Sequence, residues 1–166
     1  MGKSLTVERL RSVLWYDAER GKWWWLAKTN RRIKAGAEAG CRDVSGRLKI
    51  SVDGRLYRAN RLAWFYMKGE WPAGMVDHAD RDLTNDRWEN LRDATRSQNC
   101  ANSKARAGTM CGLKGVGWHG NTGKWMAKIT RHGREYYLGL YDTPEAAHAA
   151  YAAKATELFG EFARAA

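Results

Sequence analysis

Near the start of the chain, Val7, Leu10, Val13 and Leu14 recur at the spacing of one helical face. Thr6 stands just ahead of them, where a side-chain oxygen can accept an otherwise orphaned N–H of a first turn, so a helix is expected here. Asp17 to Lys22 reads as a turn and Trp23 to Leu26 as a strand. From Arg47 the period becomes two. Arg47-Leu48-Lys49-Ile50-Ser51-Val52 alternates polar and apolar, Asp53-Gly54 supplies a two-residue turn, and Arg55-Leu56-Tyr57-Arg58 alternates again, which predicts a hairpin. Asn60 to Lys68 returns to helical spacing, with Leu62, Ala63, Phe65 and Tyr66 set for burial and Gly69 and Pro72 to end it. The Trp and Tyr residues of these segments are read as core rather than as platforms for stacking bases.

Met75-Val76 then opens a short strand and Leu91 to Ala94 a second, and Thr95-x-x-Gln98 is a capping box for a helix running to about Arg106. The order is strand, long loop, strand, helix. Beyond the small, basic stretch Ser103 to Gly112, alternation resumes. Trp125, Ala127 and Ile129 fall on one strand face and Lys124, Met126, Lys128 and Thr130 on the other. Thr143 and Pro144 open a last helix, whose Ala146, Ala150 and Leu158 are expected to cover the apolar face. The pattern predicts an α+β chain of two modules, residues 1–105 and 113–166, joined by a linker at 106–112.

Composition narrows the function. A chain of 166 residues suffices for one medium domain or two small ones. Its net charge of +11 points to a polyanionic partner. No apolar run approaches the roughly 20 residues that span a bilayer, and MGKSLTVERLRSVL lacks the apolar centre of a signal peptide, so a cytoplasmic location is expected. Cys41, Cys100 and Cys111 form no CxxC pair, which disfavours a disulfide framework or a thiolate zinc site and leaves small thiols expected to be buried or half-buried. The charge is uneven: residues 1–50 carry a net +7, residues 51–100 net zero, and residues 101–166 net +4. Within the neutral middle, VDHADRDLTNDRWENL gathers four Asp and one His between basic flanks. A polyanion gripped on both sides of a cation-holding centre would call for that layout.

Asp77 and His78 are consecutive, so on a regular strand they point to opposite faces and can serve one centre only if the strand ends or bulges there. Asp80, Asp82 and Asp86 are expected to make turn and cap bonds in the loop; the Gly and terminal Glu of an EF-hand are missing. Asp77-His78, with Asn90 twelve positions after the histidine and Asn99 nine further on, resembles the HNH motif of phage and intron homing endonucleases, in the branch whose last His is Asn. The flanks RLAWFYMKGEWP and WENLRDATRSQN resemble the same family, and the likeness covers residues 5 to 105. It implies a ββα-metal nuclease site. There Asp77 and Asn99 would offer hard oxygens to Mg²⁺ or Mn²⁺, His78 would act as general base, and Asn90 would clamp the two strands in register around it. The family commonly carries His where this chain has Asn60.

In the last third, KGVGW, GKWMAKI, YLGLYDT and the Ala-rich run from Glu145 to Tyr151 resemble the plant ethylene-response-factor (apetala-two) DNA-binding domain, over about residues 113 to 163. The resemblance implies a three-stranded antiparallel sheet backed by one helix and laid in the major groove. Lys114, Trp118, Lys124, Lys128, Thr130, Arg131, Arg134 and Tyr137 are the candidate DNA contacts. Plant members carry Arg at positions held here by Gly117 and Thr130, so their target sequence does not transfer. The combined expectation is a homing-type, metal-dependent endonuclease of phage or mobile-element origin. It would act as a monomer on double-stranded DNA, nicking one strand to a 5′ phosphate and a 3′ hydroxyl. Two alternatives stand beside it: a DNA-binding protein with an inactive HNH module, opposed by the complete residue set, and a ribonuclease of the same fold, opposed because A-form RNA hides its major groove.

Overall fold

In the computed structural model, which describes residues 4–28, 33–105 and 109–164, the Thr6 hydroxyl accepts the Arg9 N–H at 3.2 Å and opens helix α1 (Val7–Val13). The helix stops earlier than its apolar spacing predicts. Leu14 is already extended, with φ −133° and ψ 141°, and begins strand β1 (Leu14–Asp17), which the helical spacing conceals. Leu14 and Tyr16 also fit a period of two, and the partner strand decides between the periods. β1 pairs antiparallel with β2 (Lys22–Trp25), and Leu14, Tyr16, Trp23 and Trp25 all turn inward.

A second sheet has the order β3 (Cys41–Arg42), β4 (Leu48–Val52), β5 (Arg55–Arg58). The expected hairpin is its β4–β5 part. Val52 pairs with Arg55, and the turn residues Asp53 and Gly54 are both left-handed, at φ 49° and 79°. Helix α2 (Ala59–Lys68) follows and ends on Gly69 at φ 78°. Its Leu62, Ala63 and Phe65 are buried as expected, whereas Tyr66 is only half-buried, edge-on to Trp23 with ring centroids 5.6 Å apart. Leu10, Leu14, Trp23, Ile50 and Leu62 form the fully buried centre shared by these elements. Against them lies a two-stranded ribbon of β6 (Met75–His78) and β7 (Leu91–Ala94). Two bonds fasten the ribbon to α2: Asn60 Nδ2 donates to the Val76 carbonyl and Arg61 Nη1 to the Gly74 carbonyl, each at 3.1 Å.

These elements make one compact unit, and the chain divides after Ala94. The second unit opens with α3 (Arg96–Asn102), whose capping box is complete: Thr95 accepts from the Gln98 N–H and the Gln98 side chain accepts from the Thr95 N–H. Strands β8 (Val116–His119), β9 (Lys124–Arg131) and β10 (Arg134–Tyr141) form an antiparallel sheet with β9 in the middle, backed by α4 (Pro144–Phe159). Thr143 caps α4 and Pro144 opens it. The helix buries Ala147, Tyr151, Ala155 and Phe159 rather than Ala146, Ala150 and Leu158. In so alanine-rich a helix the polar contrast is faint, and the two aromatic rings set the buried stripe.

The boundary at Ala94 precedes the expected linker at 106–112, of which residues 106–108 lie outside the described residues, as does the expected helix end at Arg106. α3 stays with the second unit for a visible reason. Lys114 Nζ donates to the carbonyls of Cys100, Ala101 and Ser103 at 2.7, 2.6 and 2.8 Å, a cationic cap on the C-terminal end of that helix. The cysteines also differ from expectation: Cys41 and Cys100 are exposed and only Cys111 is half-buried. Among the described residues no helix is long and apolar enough to cross a membrane. The architecture is α+β, as the sequence predicts.

Candidate active site

Strand β6 ends at His78, and Asp77 and His78 are its last two residues, both still paired with β7. Asp77 and His78 are both buried, at 6% and 4% exposure. The β6–β7 register sets Asp77 opposite Arg92 and His78 opposite Leu91. Arg92 uses that placement: its Nε and Nη2 donate to Asp77 Oδ2 at 3.1 and 3.0 Å. His78 Nε2 lies 2.9 Å from Oδ1 of Asp86, whose side chain is equally buried.

The loop between the strands is organised by Asn90. Its Oδ1 accepts the Asp80 N–H at 2.9 Å, and its Nδ2 donates to Asp80 Oδ1 at 2.9 Å and to the Asn85 carbonyl at 2.8 Å. The Asn90 carbonyl accepts the Ala79 N–H at 2.9 Å, so one residue closes the loop from both sides. Asp80 and Asp82 make the turn bonds expected of them. Asp80 accepts the Asp82 N–H and Asn85 Nδ2, and Asp82 accepts the Thr84 N–H and hydroxyl. Burial alone pushes the Asp80 carboxyl upward, yet the bonds from Asn85, Asp82 and Asn90, with the charge of His78, outweigh it and hold Asp80 below the usual carboxylate range.

Asp86 departs from the expected turn role and faces the histidine. Its backbone is moulded by the first hairpin. The Tyr16 hydroxyl donates to the Asp86 carbonyl at 2.6 Å, and the Trp88 N–H donates to the Ala18 carbonyl at 2.9 Å. Gly21, at φ 68°, backs onto the same stretch so closely that a Cβ there would lie 2.9 Å from the Asp86 carbonyl oxygen. Burial, then the charges of Asp86 and Asp17, push the Tyr16 phenol well above its ordinary range, so it stays a donor.

The sequence around this site has known counterparts. A family model described as HNH endonuclease matches residues 57–101, from β5 through both ribbon strands into α3. "Protein 3.8" of Escherichia phage T7 is 32% identical over 114 residues, which cover 66% of this chain and 93% of that protein. The chain belongs to the HNH endonuclease family. Of the expected HNH set, Asp77, His78 and Asn90 stand together in the first unit, while Asn99 sits half-buried on the first turn of α3, in the second. Asp86, Arg92 and Tyr16 complete the surroundings and were not foreseen. Among the described residues no three His, Cys, Asp or Glu side chains cluster as a metal group.

The candidate DNA contacts separate by sheet face. Register puts Lys124, Lys128 and Thr130 of β9 on the outer face, with Tyr137, the cross-strand partner of Lys128, beside them and 61% exposed. Lys124 pairs with Asp142 at 3.0 Å and Lys128 with Glu135 at 3.1 Å, both at the surface. Arg131 and Arg134 are cross-strand partners of the opposite parity, shared with the buried Ile129. The Arg131 guanidinium lies 5.9 Å from the Phe159 ring centroid and that of Arg134 lies 5.3 Å from the Tyr136 centroid. Trp118 pairs with Trp125 on that same face, and Lys114 is occupied with the end of α3. Alternation along β9 already separates Arg131 from Lys124, Lys128 and Thr130; the Lys114 cap had no sequence signal.

Proposed function

We propose that this chain is a metal-dependent endonuclease of the homing type that hydrolyses a phosphodiester of double-stranded DNA, with His78 as general base. The observation that carries the reading is the buried His78 held by Asp86 beside Asp77, at the end of the strand inside the matched HNH segment. The Asp77 carboxylate and the Asn99 amide carbonyl would each offer a hard oxygen, the donor type that suits Mg²⁺ or Mn²⁺ rather than a thiolate-seeking metal. Such an ion, when bound, supplies positive charge against the scissile phosphate and the departing oxygen.

The chain's own groups then have separate tasks. His78 takes a proton from the attacking water, whose oxygen bonds to phosphorus as the P–O3′ bond breaks, leaving a 5′ phosphate and a 3′ hydroxyl. Asn90 keeps the loop closed so that His78 and Asp77 hold their places. Arg92 balances the Asp77 charge across the ribbon. Residues 113–166 act as an anchor of the ethylene-response-factor type, with Lys124, Lys128, Thr130 and Tyr137 on the outer sheet face toward DNA. One Asp77/His78 pair per chain fits a monomer that nicks one strand, and the T7 relative fits action inside a phage-infected cell.

Incubation with supercoiled plasmid in Mg²⁺, in Mn²⁺ and in EDTA tests the reading. Open circles formed only with metal are expected. Intact plasmid in all three would refute it, and prompt linear product would refute single-strand nicking.

A further inference from the structure

The three aspartates of the loop between β6 and β7 are used differently. Asp80 and Asp82 direct their carboxylates to loop N–H groups. Asp86 does not: its backbone carbonyl takes the Tyr16 hydroxyl, and its carboxylate is left for His78 Nε2 at 2.9 Å, with both side chains 4% exposed. The backbone from Asp86 to Trp88 is held without help from that side chain, by the Trp88 N–H to the Ala18 carbonyl and by the close approach of Gly21. A fixed backbone thus presents a buried carboxylate to one imidazole nitrogen.

A carboxylate only accepts, so the ring nitrogen facing it carries the hydrogen, and the lone pair of the neutral ring lies on Nδ1. We propose that Asp86 is a positioning residue for DNA cleavage: it fixes the orientation of the His78 ring and keeps the proton on Nε2, making Nδ1 the atom that takes the proton from the attacking water. The inference rests on the nuclease function proposed above. In the step it describes, water gives one proton to Nδ1, its oxygen forms the new bond to phosphorus, and the 3′ oxygen leaves with the electron pair of the broken bond and collects a proton from solvent. The imidazolium so formed stays bonded to Asp86, which stabilises its charge without taking the proton.

The test uses the full-length, ¹⁵N-histidine-labelled protein. Long-range ¹H–¹⁵N correlation at a pH where the ring is neutral reads the tautomer, and His78→Gln assigns its signals among the four histidines. The wild type should show His78 with its hydrogen on Nε2. In Asp86→Ala the signals should move toward a mixture, and the single-turnover cleavage rate should fall about 10- to 100-fold while the Kd for duplex DNA stays unchanged. Asp86→Asn is isosteric, protects the fold, and can still accept through Oδ1, so it should keep the Nε2–H form and much of the rate. Unchanged tautomer in Asp86→Ala, or equal rate loss in both variants with the tautomer unaltered, would overturn the proposal. A wild type that cuts no DNA while its ring still changes tautomer in Asp86→Ala would refute the nuclease reading and support the hold of Asp86 on His78.

Discussion

Both Nε and Nη2 of Arg92 point at a single oxygen of Asp77, Oδ2, at 3.1 and 3.0 Å across the β6–β7 register. A cation bound by Asp77 would therefore compete with a guanidinium already in place. Arg92→Ala removes the guanidinium from a carboxylate only 6% exposed and should cost about 3 kcal/mol of stability, the low end for breaking a buried pair. Millimolar Mg²⁺ should restore part of that by binding the folded state. Thermal melts of both proteins with and without Mg²⁺ check this; an identical Mg²⁺ shift in the two would show that Arg92 and metal do not share Asp77.

His78→Ala should lower the cleavage rate by roughly 10² to 10⁴, the usual contribution of a general base, and Asp77→Ala should abolish cutting. Affinity for duplex DNA should barely change in either variant. Gel-shift titration beside a plasmid assay separates the two effects, and full activity in His78→Ala would remove the mechanism.

Asn90→Ala deletes three side-chain hydrogen bonds that close the loop between the ribbon strands. At about 1 kcal/mol each, a loss near 3 kcal/mol is expected in urea denaturation. Faster exchange of the Asp80 amide should accompany it.

Acid should loosen the same loop. The Asp80 carboxyl titrates below its unfolded value, so its contribution is complete above the usual range near 3.9 and is lost as the pH falls through the lower folded value. Amide exchange at Asp82, whose N–H that carboxylate accepts, should quicken over this window. In Asp80→Asn the acid step should vanish.

On the outer face of the second sheet, Lys124→Ala with Lys128→Ala should reduce the slope of log affinity against log salt by about 1.8, near 0.9 for each phosphate no longer neutralised. Arg131→Ala and Arg134→Ala, on the helix-facing side, should leave the slope unchanged. Point variants suit this test better than truncation at residue 113, which would also strip Lys114 from the end of α3. Equal slopes for the lysine double variant and the two arginine variants would separate DNA binding from this face.

Local chemistry carried much of the fold into view. The Asp53-Gly54 turn, the Thr95/Gln98 capping box and the Thr143-Pro144 helix start are short-range devices, and each appears where the sequence puts it. β1 escaped because Leu14 and Tyr16 satisfy two periods at once, and the choice rests on pairing with Lys22–Trp25. Asp77, His78 and Asn90 could be singled out by their spacing, and they fall at the end of β6 and just before β7. Asp86 was not, since nothing local distinguishes it from Asp80 or Asp82; only the bend of the loop brings it to His78. The Lys114 cap has a similar cause, since it reaches across the gap between α3 and β8 along the chain.

The hairpin of β1 and β2 lies outside the segment matched by the family, 57–101, yet Tyr16, Ala18 and Gly21 form the wall against which Asp86 to Trp88 is cast. The proposed reacting groups are therefore not a portable cassette. Transplanting residues 57–101 into another scaffold would move the histidine and leave behind the mould that aims it, so recombination among relatives must keep both pieces together or replace one with a matching surface.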